Sequence, residues 1–347
     1  MNARILLKRL VTPALLLSVW FVTMTGGWGD VAGAVMVEAA AQVGHSEAAP
    51  LPGRTLPGSD ELGMPTRLEV SGDELLILDR YRTEALIAVD RRSGRVLRSF
   101  GREGDGPGEF RSPVSFATEG DGLAVLDVGL NRVTWLASDR ADFTMRGTTQ
   151  LETEAPATDL ALPPDGDILV VGFLGDGRLV RLARDGEFIA YEGAPAGTDH
   201  FPPHRRIEAL QGAVRTSPAG DRLVRTHRFA SRINVVHLGS SIETEVWGPE
   251  PFEPSTAGDA EARFGYLDSA PRADGFLALY SGRTREESPG RANYGATVHE
   301  FDWEGHLRAE YQLDADVIAI AWSHRDALLY AIRHDPSPAV LVYELDR

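Results

Sequence analysis

The chain has no cysteine, and Lys8 is its only lysine; every other basic side chain apart from histidine is arginine. Without cysteine there are no disulfides, so stability must come from packing, and no thiol near the N-terminus can carry a lipid anchor. Positive charge is scarce as well. With 35 Lys and Arg against 51 Asp and Glu, the net charge is −16. That balance argues against nucleic acid as a partner, because such binding rests on cations that neutralise phosphates; it favours solubility instead. Long apolar runs are also missing, with one exception from Leu10 to Met24. At about 15 residues this run is short of the roughly 20 that cross a bilayer.

That run has the layout of a secretory signal. Arg4, Lys8 and Arg9 precede it, and Gly26, Gly27, Gly29, Ala32, Gly33 and Ala34 follow it, giving a basic segment, an apolar segment and a small-residue cleavage zone. The expectation is a signal peptide over residues 1–34, cut somewhere within 26–41. A flexible arm over 35–52 then leads into a folded unit over 53–347. The mature protein is expected to be secreted or periplasmic, without a stable membrane span, and monomeric.

An Asp-containing tight turn followed by a short apolar strand recurs six times, at Asp73, Asp121, Asp167, Asp221, Asp274 and Asp326. The spacings are 48, 46, 54, 53 and 52 residues. Repeats of this length made of short β-rich runs signal a ring of small sheets, each too thin to bury both faces and therefore sandwiched between neighbours. Each repeat reads as strands a, b, c and d, as in Arg67 to Val70, Leu75 to Leu78, Ala85 to Val89 and Arg95 to Phe100. The last repeat has only three strands before Arg347, and the segment Arg54 to Leu56 is suited to supply the fourth. The fold class is thus all-β: a six-bladed β-propeller of four-stranded antiparallel blades, closed by an N-terminal strand.

The segment from Phe100 to Pro113, which contains Gly106-Pro107-Gly108-Glu109-Phe110, followed by Leu126 to Val133, resembles the NHL-repeat propellers. It is also similar to the wider TolB-like group of six-bladed propellers in exported bacterial proteins. The resemblance implies a central channel and binding at the mouth formed by the d-to-a crossings and b-to-c loops. It further implies that Asp127 and Arg132 are a structural pair tying strand b to strand c, with Asp79 serving the same purpose in the first repeat.

No catalytic residues are assigned. The chain lacks a Gly-x-Ser-x-Gly nucleophile elbow. It also lacks the Glu-Gly-Pro opening of calcium-binding lactonase propellers, and has Pro113-Val114 where the amidating lyases carry Pro-His for zinc. No metal or other cofactor is expected. The candidate ligand residues are Arg80, Tyr81, Arg102, Arg205, His227, Arg228, Phe229, Tyr280 and Arg333, which come from different repeats and point to one mouth. Planar guanidinium groups there would hold an anionic group bidentately. The expected activity is binding of a small anionic molecule, a glycan or a protein segment. A lyase or lactone hydrolase acting in the channel, and an envelope scaffold or sensor, remain as alternatives.

Overall fold

The computed structural model describes residues 49–139, 141–153, 156–172, 179–192, 205, 211–240, 242–252, 254–256 and 261–345, with Asp60 described in its backbone only. The leader expected over residues 1–34 and most of the arm lie outside the described residues.

Twenty-four strands form six four-stranded antiparallel sheets among the described residues. The first blade holds β2 (Pro65–Ser71), β3 (Glu74–Asp79), β4 (Glu84–Asp90) and β5 (Val96–Arg102). The second holds β6 (Pro113–Glu119), β7 (Gly122–Asp127), β8 (Arg132–Ser138) and β9 (Phe143–Gln150). The third holds β10 (Ala157–Ala161), β11 (Ile168–Gly172), β12 (Leu179–Leu182) and β13 (Phe188–Glu192). The fourth holds β14 (Val214–Thr216), β15 (Arg222–Thr226), β16 (Arg232–His237) and β17 (Glu243–Trp247). The fifth holds β18 (Tyr266–Pro271), β19 (Gly275–Tyr280), β20 (Gly295–Asp302) and β21 (Leu307–Val317).

The sixth blade combines both ends of the chain. Its strands β22 (Ala319–Ser323), β23 (Leu328–Arg333) and β24 (Ala339–Glu344) are completed by β1 (Arg54–Thr55). Arg54 lies opposite Val342 and Thr55 opposite Leu341; the Leu56 amide then donates to the Val340 carbonyl at 2.8 Å. Leu51, assigned to the arm by sequence, bridges Leu313 of the fifth blade.

The six first strands touch one another in a closed cycle around the axis, so each blade is walled on both faces by its neighbours. Burial follows from that arrangement. The second strands are buried nearly throughout, as in β3 and β7. The outermost ones, such as β13 and β21, are largely open. Between the first two blades Leu76, Leu78, Phe116, Leu123 and Val125 pack together. Leu56, Leu68, Ile77, Tyr330 and Val342 do the same across the closing joint.

The crossing from β5 to β6 needs its glycines. Gly101 and Gly108 have φ of 84° and 77°, in the left-handed region that glycine enters without penalty. A Cβ on Gly101 would also lie 2.0 Å from the Phe110 ring.

Candidate functional site in the channel

Around the axis, all six blades contribute to one belt of buried polar groups. Arg67 of β2 bonds through Nη1 to Asp159 of β10, and the Ser115 hydroxyl of β6 donates to the same carboxylate. Arg215 of β14 donates through Nη1 to Asp159 Oδ2 at 3.2 Å, and its Nη2 lies 2.6 Å from Asp268 Oδ1 of β18. The Ile320 amide of β22 donates to Asp268 Oδ2 at 3.0 Å, which brings the sixth blade into the belt. Arg67, Asp159, Arg215 and Asp268 are all buried.

The belt compensates its own charge. Burial opposes the charge of Arg215, but Asp268 and Asp159 more than offset this and its pKa is raised. Burial pushes Asp268 up, against the pull of Arg215 and Arg67. Buried ions are tolerated only when paired in this way.

A clear sequence signal marks the belt. Arg67, Ser115, Arg215, Asp268 and Ile320 each stand six residues before the turn aspartate of their repeat, and Asp159 stands six before Asp165. The candidate ligand residues of the b-to-c mouth belong to the other end of the blades, and in the third repeat the belt keeps register with Asp165 instead of Asp167.

Beneath the belt, toward the a-to-b turns, lies a cavity of about 450 Å³. Its lining includes Arg67 and Arg215 above, Glu69, Thr118 and Glu119 on one side, and Ser269, Trp322 and His324 on the other. The positions two residues after the belt explain the space. They read Glu69, Ala117, Ala161, Ser217, Ala270 and Trp322, and all six line the cavity. Four of them are Ala or Ser, too small to fill the axis.

None of the nine residues chosen from sequence lines this cavity. His227 is fully buried and bonds through Nε2 to Asn234 Oδ1. Burial, with Arg232 and Arg225 nearby, holds its pKa well below the usual imidazole value. Phe229 packs on Phe264 with ring centres 4.9 Å apart, and Tyr280 lies against Tyr266 and His299. These three sit in the packing because aromatic area is best buried between blades.

The remaining six lie outside that packing or at its edge. Tyr81 is 77% exposed. Arg80 donates to the Ser112 hydroxyl at 3.1 Å, Arg102 pairs with Glu109 at 2.8 Å, and Arg333 donates through Nε to the Ser337 carbonyl at 3.3 Å. Arg205 is exposed, and its sequence neighbours lie outside the described residues. Arg228 differs from all of these. Its backbone is clamped by bonds to Gln211 and Gly265, both 2.7 Å, while its buried Nε has no partner among the described residues. Burial lowers its pKa, opposed by Asp159 and Asp268.

Asp127 and Asp79 have partners other than those expected. The Asp127 carboxylate accepts the amides of Arg111 at 2.6 Å, Ser112 at 3.0 Å and Leu130 at 3.1 Å. Arg132 donates to the Asp105, Gly106 and Glu109 carbonyls instead of to Asp127. The pair therefore secures the crossing into the blade from both its donor and acceptor sides, and does not join strand b to strand c directly. Asp79 repeats the device by accepting the Gly63, Met64 and Tyr81 amides, while Arg82 donates to the Glu61 carbonyl.

The model of the TolB-like 6-blade propeller-like family matches residues 58–324. The chain is a TolB-like propeller. Among solved structures, this TolB-like propeller is similar to a Bacteroides fragilis protein described as exported, at 13% identity and a TM-score of 0.60, covering 87% of this chain and 98% of that one. It is similar to a streptogramin B lyase at 15% identity and a TM-score of 0.51, covering 85% and 87%. It is also similar to U3-55K at 12% identity and a TM-score of 0.53, covering 84% and 98%. At these identities the likeness is one of fold. No curated protein sequence matches the TolB-like propeller. Among its described residues no group of three or more His, Asp or Glu is placed to hold a metal ion, and no helix is long and apolar enough to cross a membrane.

Proposed function

We propose that this TolB-like propeller is an exported binding protein whose small-molecule ligand enters the channel from the a-to-b turn side. The observation that carries this reading is the cavity of about 450 Å³ beneath the belt. Its volume lies within the range of about 300–1,000 Å³ typical of ligand sites. The leader-like N-terminus supports export, as does the fold shared with a protein described as exported. The test is a thermal-shift screen of small molecules on the wild type and on Thr118→Trp, which places an indole in the cavity wall. Ligands that stabilise the wild type and not the variant act in the cavity.

One observation favours a second reading. Arg228 keeps an Nε without a partner among the described residues at the b-to-c mouth, where a carboxylate or phosphate ligand would supply the acceptor, with Arg80, Arg102, Arg205 and Arg333 on loops of the same side. Ligands that still stabilise Thr118→Trp and fail on Arg228→Ala would establish it.

A further inference from the structure

Every charged side chain of full strength in the cavity lining already has a counter-ion. Arg67 is held by Asp159 and Glu69, and Arg215 by Asp159 and Asp268. Glu119 pairs with Arg184 at 3.2 Å, and Glu69 also accepts the Thr118 hydroxyl at 3.1 Å. His324 is held toward its neutral form by partial burial and by Arg272. An ionic ligand would therefore enter without an opposite charge waiting for it, and would give up hydration with nothing in exchange.

Hydrogen-bonding capacity, by contrast, is left over. Ser269 is wholly buried and its hydroxyl has no partner among the described residues; Arg67 Nε is likewise buried and unpaired among them. Both residues line the cavity. Buried polar groups are ordinarily satisfied, so two unsatisfied ones around one empty volume point to something that completes them. The Glu69 carboxylate adds acceptor capacity beside them.

Apart from the hydroxyls of Thr118, Thr216 and Ser217, the rest of the lining is apolar, with Trp322, Pro164, Pro218, Pro271 and Ile320 among its members. Arg272 lies over the Trp322 ring at 4.8 Å and fixes its plane.

Resting on the cavity reading above, we infer that the ligand is an uncharged polyhydroxylated molecule of mono- or disaccharide size. Such a molecule offers hydroxyls that both donate and accept, so it satisfies Ser269 Oγ, Arg67 Nε and Glu69 together. Its C–H faces lie against the indole and proline walls. It requires no counter-charge.

The experiment uses saturation-transfer NMR and calorimetry on the purified protein, with glucose, N-acetylglucosamine and maltose as neutral probes and citrate and spermidine as charged ones. At least one neutral sugar is expected to bind, to be lost in Thr118→Trp, and to bind about tenfold more weakly to Ser269→Ala. Should Thr118→Trp fail to fold, Trp322→Ala replaces it and is expected to weaken the same sugar. Binding of citrate or spermidine alone, abolished by Thr118→Trp, would overturn the ligand class and leave the cavity as the site. Sugar binding that is unchanged in a folded Thr118→Trp would overturn the cavity reading as well. If no neutral sugar binds at millimolar concentration, the inference is wrong.

Discussion

Arg215 holds Asp268 at 2.6 Å with one arm of its guanidinium and Asp159 at 3.2 Å with the other, joining three neighbouring blades through a single side chain. Removing it would leave two buried carboxylates short of their shared partner. Breaking a buried pair from one side costs about 3–5 kcal/mol, so Arg215→Ala should be that much less stable in urea denaturation. A loss below about 1 kcal/mol would mean that water reaches the belt and screens it.

Asp127 accepts three amide hydrogen bonds at the crossing into the second blade. Asp127→Ala strands those amides, at about 1–3 kcal/mol for charge-assisted bonds. Arg132→Ala should cost less, because its carbonyl partners near the exposed Asp105 loop can be reached by water. Comparing the two denaturation midpoints tests whether the carboxylate is the stronger half of the device.

Ring closure can be measured through Leu56, which is buried in the joint between the sixth and first blades. Leu56→Ala should cost about 2–5 kcal/mol. Deleting residues 53–59 should lower the melting temperature further, since β1 and its bond to β24 are lost together. An unchanged melting temperature after the deletion would contradict closure by the N-terminal strand.

His227 gives stability a pH dependence of known sign. Its folded pKa lies well below that of a free imidazole. As pH falls below about 6.5 the unfolded chain takes up a proton that the folded chain refuses, so stability is full above that pH and declines beneath it. His227→Gln should flatten the decline between about pH 6.5 and 5, where free carboxylates have yet to titrate. Burial raises Asp268 and acts in the opposite direction, so the difference between the two profiles, rather than either slope alone, reports on His227.

The ring was legible in the sequence because it is built locally. Each a-to-b turn joins adjacent strands, and turns such as Gly72 and Gly120 adopt the same φ of 58°, so the chemistry of one repeat reappears in the next. The Asp127 and Asp79 devices were half legible. Their residues repeat, but their partners are backbone amides and carbonyls, which no side-chain pattern announces. The belt was harder to see. Arg67 and Asp159 come from the first and third blades, and a position that reads Arg, Ser, Asp, Arg, Asp and Ile has no common chemistry until the ring brings it to one axis. The b-to-c mouth shows the converse: its loop arginines are conspicuous in sequence, whereas their pairing is not, as with Arg102 matched to Glu109, and His227 is withdrawn into the packing.

The sixth blade draws its outermost strand from Arg54–Thr55 and the other three from the last residues of the chain. Of the strands that make up the ring, the first to be synthesised is therefore paired by the last. Contacts between such distant segments are slow to form, because the entropy of closing the loop must be met before the contact contributes. Until β24 arrives, β1 has no sheet to join, and both β24 and the face of the first blade that packs against Tyr330 and Val342 stay open to water. A chain that is exported before it folds would remain an incomplete ring throughout its passage, and would gain its native stability in one late step when the two ends meet.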